Sequence, residues 1–147
     1  MQDIKQELID MLNKALELEH AARIQYLAHA ETITGLNSEP LRARIKEIAG
    51  DEANHEEKFR TLIGDYLNGV PVMSLAPTKT ARGIDNIIEI NIEGEKSAVD
   101  FYKQIYKKVT DHKEELVYTF ETLEHTIRHI IIEEEEHIVE LEQLIEE

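Results

Sequence analysis

Cysteine is absent from the 147 residues, which excludes disulfides, thiolate zinc sites, cysteine nucleophiles and a rubredoxin-type iron site. Proline and glycine are scarce, at 3 and 6 residues, a composition that suits a helical protein. Basic residues are outnumbered: 16 Lys and Arg against 31 Asp and Glu give a formal net charge of -15. That balance argues against nucleic acid and anionic membrane as partners, whose phosphates attract basic surfaces, and it is compatible with attracting cations. No stretch approaches the roughly 18 uninterrupted apolar residues of a membrane span, and the first seven residues contain no apolar signal core. The expectation is a cytoplasmic protein with a single domain over residues 1–147, long enough to bury a real core.

What the chain does contain is a repeated stripe. Leu8, Leu12, Ala15, Glu19, Ala22, Tyr26, His29 and Ile33 follow alternating steps of four and three, the spacing of a helix face turned toward a bundle interior. Gly35 closes this helix. Asn37-Ser38-Glu39-Pro40 then supplies a turn, a cap at Ser38 and a first-turn proline for the next helix. So short a connection makes helices one and two antiparallel neighbours. Helix two repeats the alternation through Leu41, Ile45, Ile48, Glu52, His55, Phe59, Leu62 and Tyr66.

From about Asn68 to Arg82 the pattern lapses into a loop that includes Pro71 and Pro77, and a loop this long needs a purpose. A helix of roughly 27 residues is about 40 Å long, and roughly 15 extended residues reach about 50 Å. The loop can therefore run the length of a bundle and give an up, down, down, up order. Helix three places Ile84, Ile88, Asn91, Glu95, Ala98, Tyr102, Ile105 and Val109 inward, and Thr110-Asp111-His112 is its break. Helix four starts between there and Tyr118, with Leu116, Phe120, Leu123, Ile127, Ile130, Glu134, His137, Leu141 and Leu144 on its inner face. The expected fold is all-α: a four-helix bundle with a long crossover between helices two and three.

The halves repeat. Glu19, Ala22 and Tyr26 recur as Glu95, Ala98 and Tyr102 at equal spacings, and Glu52-x-x-His55 recurs as Glu134-x-x-His137. A Glu and a His three positions apart are neighbours on a helix surface and can share one metal ion. An acid thus falls near the middle of every stripe. The alternative of four solvated glutamates is disfavoured because the 4-3 spacing assigns each one to the buried stripe independently. Four buried carboxylates without a cation cost several kcal/mol apiece, and no lysine or arginine occupies the stripes beside them. Two divalent cations balance four carboxylates. Ligation rich in carboxylate, with one imidazole per ion and no sulfur, points to iron or manganese rather than structural zinc.

Four such glutamates with two E-x-x-H pairs on a four-helix bundle resemble the ferritin-like dinuclear carboxylate proteins, from about Glu17 to Leu144 and most nearly the bacterioferritins. The resemblance implies Glu19 and Glu95 as terminal ligands, Glu52 and Glu134 as bridging carboxylates, and His55 and His137 as terminal nitrogen ligands. It also implies that Asp51 and Glu133, each preceding an E-x-x-H, orient a histidine of the facing helix, as a second layer of contacts would. Ala53 stands where bacterioferritins carry their haem-ligating methionine, so no haem held in that manner is expected. Ala98 stands where rubrerythrins carry an additional glutamate. The short fifth helix of the family's shell does not follow helix four, so a homo-oligomer, a dimer rather than a cage, is expected.

The function implied is binding of two ferrous ions and their oxidation by dioxygen or hydrogen peroxide. Alternatives are an iron-storage or iron-transfer subunit of an assembly, and a manganese or mixed iron/manganese redox enzyme. Tyr26 and Tyr102 lie about 10 Å along their helices from Glu19 and Glu95. They flank the site, as donors to a ligand on a neighbouring helix or as satisfied core tyrosines. His29 reads as a satisfied core histidine ahead of a metal-entry residue. His20, His112, His125 and His129 fall off the stripes and read as surface residues. Glu17, Glu93, Glu135 and Glu136 read as solvated.

Overall fold

Asp3 accepts a hydrogen bond from the Gln6 amide at 2.8 Å and starts α1, Ile4–Thr32. The computed structural model describes residues 3–145, and among them there are four long helices and no strand. The α1 helix stops at an extended Ile33, and the chain reverses through Gly35 and Asn37, both left-handed at φ 110° and 67°. Asn37 directly precedes α2, Ser38–Thr61, so Ser38 is already helical and does not cap as its sequence position suggests. Pro40 sits in the first turn, where its missing amide has no helical partner to lose. A wider π-type turn, Leu62–Tyr66, continues α2. Then come α3, Ile84–Asp111, a short 3-10 turn at Lys113–Glu115, and α4, Phe120–Gln143. Leu116 is buried as expected but precedes α4, where its carbonyl accepts the amides of Thr119 and Phe120 at 3.3 and 3.0 Å.

Residues 67–83 form the crossover, which climbs along α1 in α1's own direction. Asn13 donates to the Val70 carbonyl and accepts the Val72 amide. The Glu17 carbonyl accepts the Ala76 amide at 3.0 Å. Further along, Gln25 accepts the Lys79 amide, and His29 donates to the Lys79 carbonyl. The strap starts tightly: a Cβ on Gly69 would lie 2.9 Å from the Ile9 side chain, so only glycine fits there. Delivered to the far end, α3 runs antiparallel to α1, pairing Asn91 with His29, Tyr26 with Glu95 and Tyr102 with Glu19. The order is up, down, down, up.

The inward stripe is buried along nearly its whole length; its members Tyr66 and Ile84, near helix ends, are 38% exposed. Apolar packing divides into two clusters. One gathers Leu8, Leu12, Phe59, Tyr102, Leu123 and Ile127, and the other Tyr26, Ile45, Ile48, Ile88 and Leu141. Between them lies a layer of six buried polar residues: Glu19, Glu52, His55, Glu95, Glu134 and His137. Apolar packing above and below fixes the layer's height in the bundle.

Candidate metal centre

Each helix contributes at the same height, α1 Glu19, α2 Glu52 and His55, α3 Glu95, and α4 Glu134 and His137. All six are at most 3% exposed. Their ligand-type atoms fall into two groups, Glu19-Glu52-His55-Glu134 and Glu52-Glu95-Glu134-His137, within each of which the atoms lie within 4.8 Å of one another. Glu52 and Glu134 belong to both groups, the placement that bridging carboxylates require. The two imidazole centroids are 6.3 Å apart.

The histidines are oriented from behind. The His137 Nε2–H donates to Asp51 at 2.9 Å, and the His55 Nε2–H donates to Glu133. In each case the carboxylate comes from the residue preceding the other helix's E-x-x-H. With Nε2 held by that carboxylate, each Nδ1 turns inward and offers its lone pair to a cation once its own proton is displaced. The His55 Nδ1 lies 3.4–3.5 Å from oxygens of Glu19, Glu52 and Glu134, and the His137 Nδ1 lies 3.1–3.6 Å from oxygens of Glu52, Glu95 and Glu134.

None of these approaches is aligned as a hydrogen bond. Among the described residues, eight buried side-chain nitrogens and oxygens lack a hydrogen-bond partner, and seven belong to these six residues. Unpartnered buried polar atoms are costly and rare. Seven of them, on the six residues of two overlapping groups, fit two cations that displace the cluster's protons.

Electrostatics agrees. Burial, reinforced by the Glu134 charge, raises Glu19 from 4.5 to about 7 and Glu95 to about 8. The same two causes hold Glu52 well above the usual carboxylate range. Burial opposes ionisation of Glu134 as well, but the close approach of both imidazoles and of Glu52 outweighs it and holds this acid below its usual range. Burial disfavours both imidazolium forms, yet the surrounding carboxylates reverse that and raise His55 and His137. Without a metal, the cluster thus retains protons where cations would sit.

The tyrosines cross between the halves. Tyr26 of α1 donates to Glu95 of α3 at 2.8 Å, and Tyr102 of α3 donates to Glu19 of α1 at 2.7 Å. Burial and the accepting carboxylates raise both phenols, so they remain protonated donors. A cavity of about 100 Å³ opens on this side between α1 and α3, lined by the four glutamates, both tyrosines, Ala22, Ala98 and Pro77 of the crossover. The histidines stand on the opposite side.

Other positions divide. His29 is satisfied, donating to the Lys79 carbonyl at 2.9 Å and accepting from Asn91 at 3.0 Å. His20 and Glu17 are not the free surface groups their sequence positions suggest, because the crossover runs over them. The His20 Nδ1–H donates to the Ser74 carbonyl at 2.7 Å, and Glu17 accepts from the Ser74 hydroxyl at 2.6 Å. His112 is half-buried and donates to the Lys108 carbonyl at 2.8 Å. His125, His129, Glu93, Glu135 and Glu136 are exposed, as the stripes require.

Two residues gain roles that periodicity did not assign. Glu56 is 5% exposed, paired to Arg23, with His20 at 3.6 Å and Arg60 at 3.7 Å; Arg60, four positions later on the same helix, was the available signal. Asn91 joins Gln25, His29 and the Ile87 carbonyl in one hydrogen-bonded network.

The family model described as the ferritin-like domain matches residues 9–147. A bacterioferritin of Desulfovibrio desulfuricans is 30% identical over 107 residues, 72% of this chain and 59% of that protein, so the match spans less than two thirds of the relative. The crystal structure of the bacterioferritin from Desulfovibrio desulfuricans, solved with its diiron site in different catalytic states, superposes with a TM-score of 0.84 at 27% identity, covering 97% of this chain and 80% of that one. A ferritin-like diiron-carboxylate protein of Bacillus anthracis matches at TM-score 0.89 and 23% identity over 99% of this chain and 100% of that one. The bacterioferritin-related protein of Bacteroides fragilis, a dodecameric thioferritin, matches at TM-score 0.81 and 27% identity, covering 96% and 84%.

Proposed function

The chain belongs to the ferritin-like family, and from that premise we propose that its central layer binds two ferrous ions and oxidises them with dioxygen or hydrogen peroxide. One observation carries the reading: seven buried, unpartnered acceptor atoms converge in two overlapping groups of four residues. Glu19 and His55 serve one ion, Glu95 and His137 the other, and Glu52 and Glu134 lie between both. Iron is the substrate, each ferrous ion giving up one electron, and one hydrogen peroxide accepting two electrons leaves two hydroxides.

The residues do the rest. Four carboxylates neutralise the paired divalent charge and favour the ferric product. Asp51 and Glu133 keep the imidazoles' lone pairs aimed inward. Tyr26 and Tyr102 steady one oxygen of each terminal glutamate and leave the other for the metal. The cavity between α1 and α3 gives a small oxidant access to the carboxylate side.

Anaerobic ferrous titration tests the reading: saturation near about two ions per chain is expected, with a ferric absorption band on adding oxidant. Fewer than one ion bound, with no oxidation, refutes it. Replacing Glu52 or Glu134 by Ala abolishes the paired site, whereas replacing Glu17 does not.

Assembly follows the same family logic. We propose a homo-oligomer, a dimer packed through exposed apolar side chains such as Ile24 and Leu27 of α1. Native mass separates this from a shell like that of the dodecameric relative, and iron loading of such a shell would favour storage.

A further inference from the structure

Seven histidines occur in the chain, and five have a protein partner at a ring nitrogen: His20, His29, His55, His112 and His137. The remaining two are His125 and His129. They lie four positions apart on α4, both are exposed, and their ring centroids are 4.2 Å apart with planes tilted by 38°. Exposure removes a packing explanation for the pair. Among the described residues no protein group hydrogen-bonds to either ring, which leaves all four ring nitrogens open to a ligand.

We propose that His125 and His129 form an exterior chelating site for one divalent transition-metal ion, separate from the buried layer. Imidazoles at i and i+4 project from one helix face and can close on one ion, the spacing used by helical zinc motifs. Neutral imidazole suits zinc, copper, nickel and related ions. The adjacent cation does not compete, since the Arg128 guanidinium is held by Glu124 at 2.7 Å, which also accepts from Tyr106. Exposed Glu121, one turn before His125, adds negative charge on the same side, and the net charge of -15 draws cations toward the surface.

The site's position gives it a use. One turn beyond His129 is Glu133, 43% exposed at its side chain and bonded to the His55 Nε2–H. An ion held at the histidine pair therefore waits one helical turn from the carboxylate that orients a histidine of the buried layer. The proposal stands on the surface pair alone and holds whichever ion the interior takes.

Nickel(II) added alone to the full, untagged chain is the probe. In equilibrium dialysis the unmodified protein binds one more nickel ion than the His125→Gln/His129→Gln double variant. Each single variant weakens that site at least about tenfold, because one of two chelating groups is lost. Helical content and Tm stay unchanged, since both positions are exposed. In NMR spectra the paramagnetic ion broadens the His125 and His129 ring signals at the lowest additions. An equal nickel count and affinity in the double variant, or broadening confined to the buried layer, overturns the proposal.

Discussion

Removing metal from this protein should make its stability fall as pH rises through the neutral range. The folded metal-free cluster keeps protons that the unfolded chain releases near 4.5: Glu19 holds its proton to about 7 and Glu95 to about 8. Between those values the native state binds more protons than the unfolded state, so the unfolding free energy decreases with pH. At about 1.4 kcal/mol per pH unit, Glu19 alone accounts for about 3 kcal/mol, a large share of the 5–15 kcal/mol that typically holds a domain together. Glu95 acts in the same direction, though the two contributions do not simply add because the Glu19 charge itself helps raise Glu95 and both respond to Glu134.

His55 and His137, raised by the same carboxylates, contribute stability that is full below the ordinary imidazole value and declines above it. Glu134, shifted down, acts oppositely but only in acid, below the range at issue. Urea unfolding of chelator-treated protein, followed by circular dichroism from about pH 5 to about pH 8, should show a midpoint that declines steadily. Glu19→Gln should flatten that decline. Adding manganous or anaerobic ferrous ion should reverse it, because ligands must lose protons to bind metal. A midpoint that stays constant or rises with pH in the metal-free protein, or an unaltered slope in Glu19→Gln, refutes the reasoning.

Asp51→Asn and Glu133→Gln should each lower affinity for ferrous ion about 10–100-fold by freeing one imidazole ring; a change below twofold in anaerobic titration contradicts the orienting role. Tyr102→Phe leaves a Glu19 oxygen without its donor and should cost about 1–3 kcal/mol in urea unfolding, with Tyr26→Phe matching it in the other half. Asn91→Leu removes the amide that joins Gln25 and His29. It should cost a similar amount and speed proteolytic cleavage near Lys79; unchanged cleavage speaks against the network as the strap's anchor. Gly69→Ala forces a methyl against Ile9 and should destabilise by about 1–3 kcal/mol; an unchanged urea midpoint contradicts the tight start of the strap.

The inner stripes were legible because 4-3 spacing reports burial directly, and Glu19, Glu52, Glu95 and Glu134 all lie where that spacing puts them. The strap's path was legible from length alone, since a chain of that reach can cross a helix end to end. What it covers was not: His20 and Glu17 lie off the inner stripe of α1, and the crossover, which has no periodicity, partly covers them. Glu56 escaped for a related reason, because its partner Arg23 lies 33 positions away on another helix and pairing between helices leaves no mark on either pattern. Leu116 shows a smaller limit, an inward residue set by a turn rather than by a helix.

The crossed tyrosine bonds give the two halves an internal twofold relation. Each helical hairpin carries an acid, an E-x-x-H and a phenol, but the phenol serves the other hairpin's acid. Neither hairpin is complete alone. Two identical hairpins meeting about a twofold axis would make the same crossed contacts, and the strap makes that pairing intramolecular. A change in either acid must therefore be tolerated by a phenol on another helix, 83 residues away for Glu19 and 69 for Glu95.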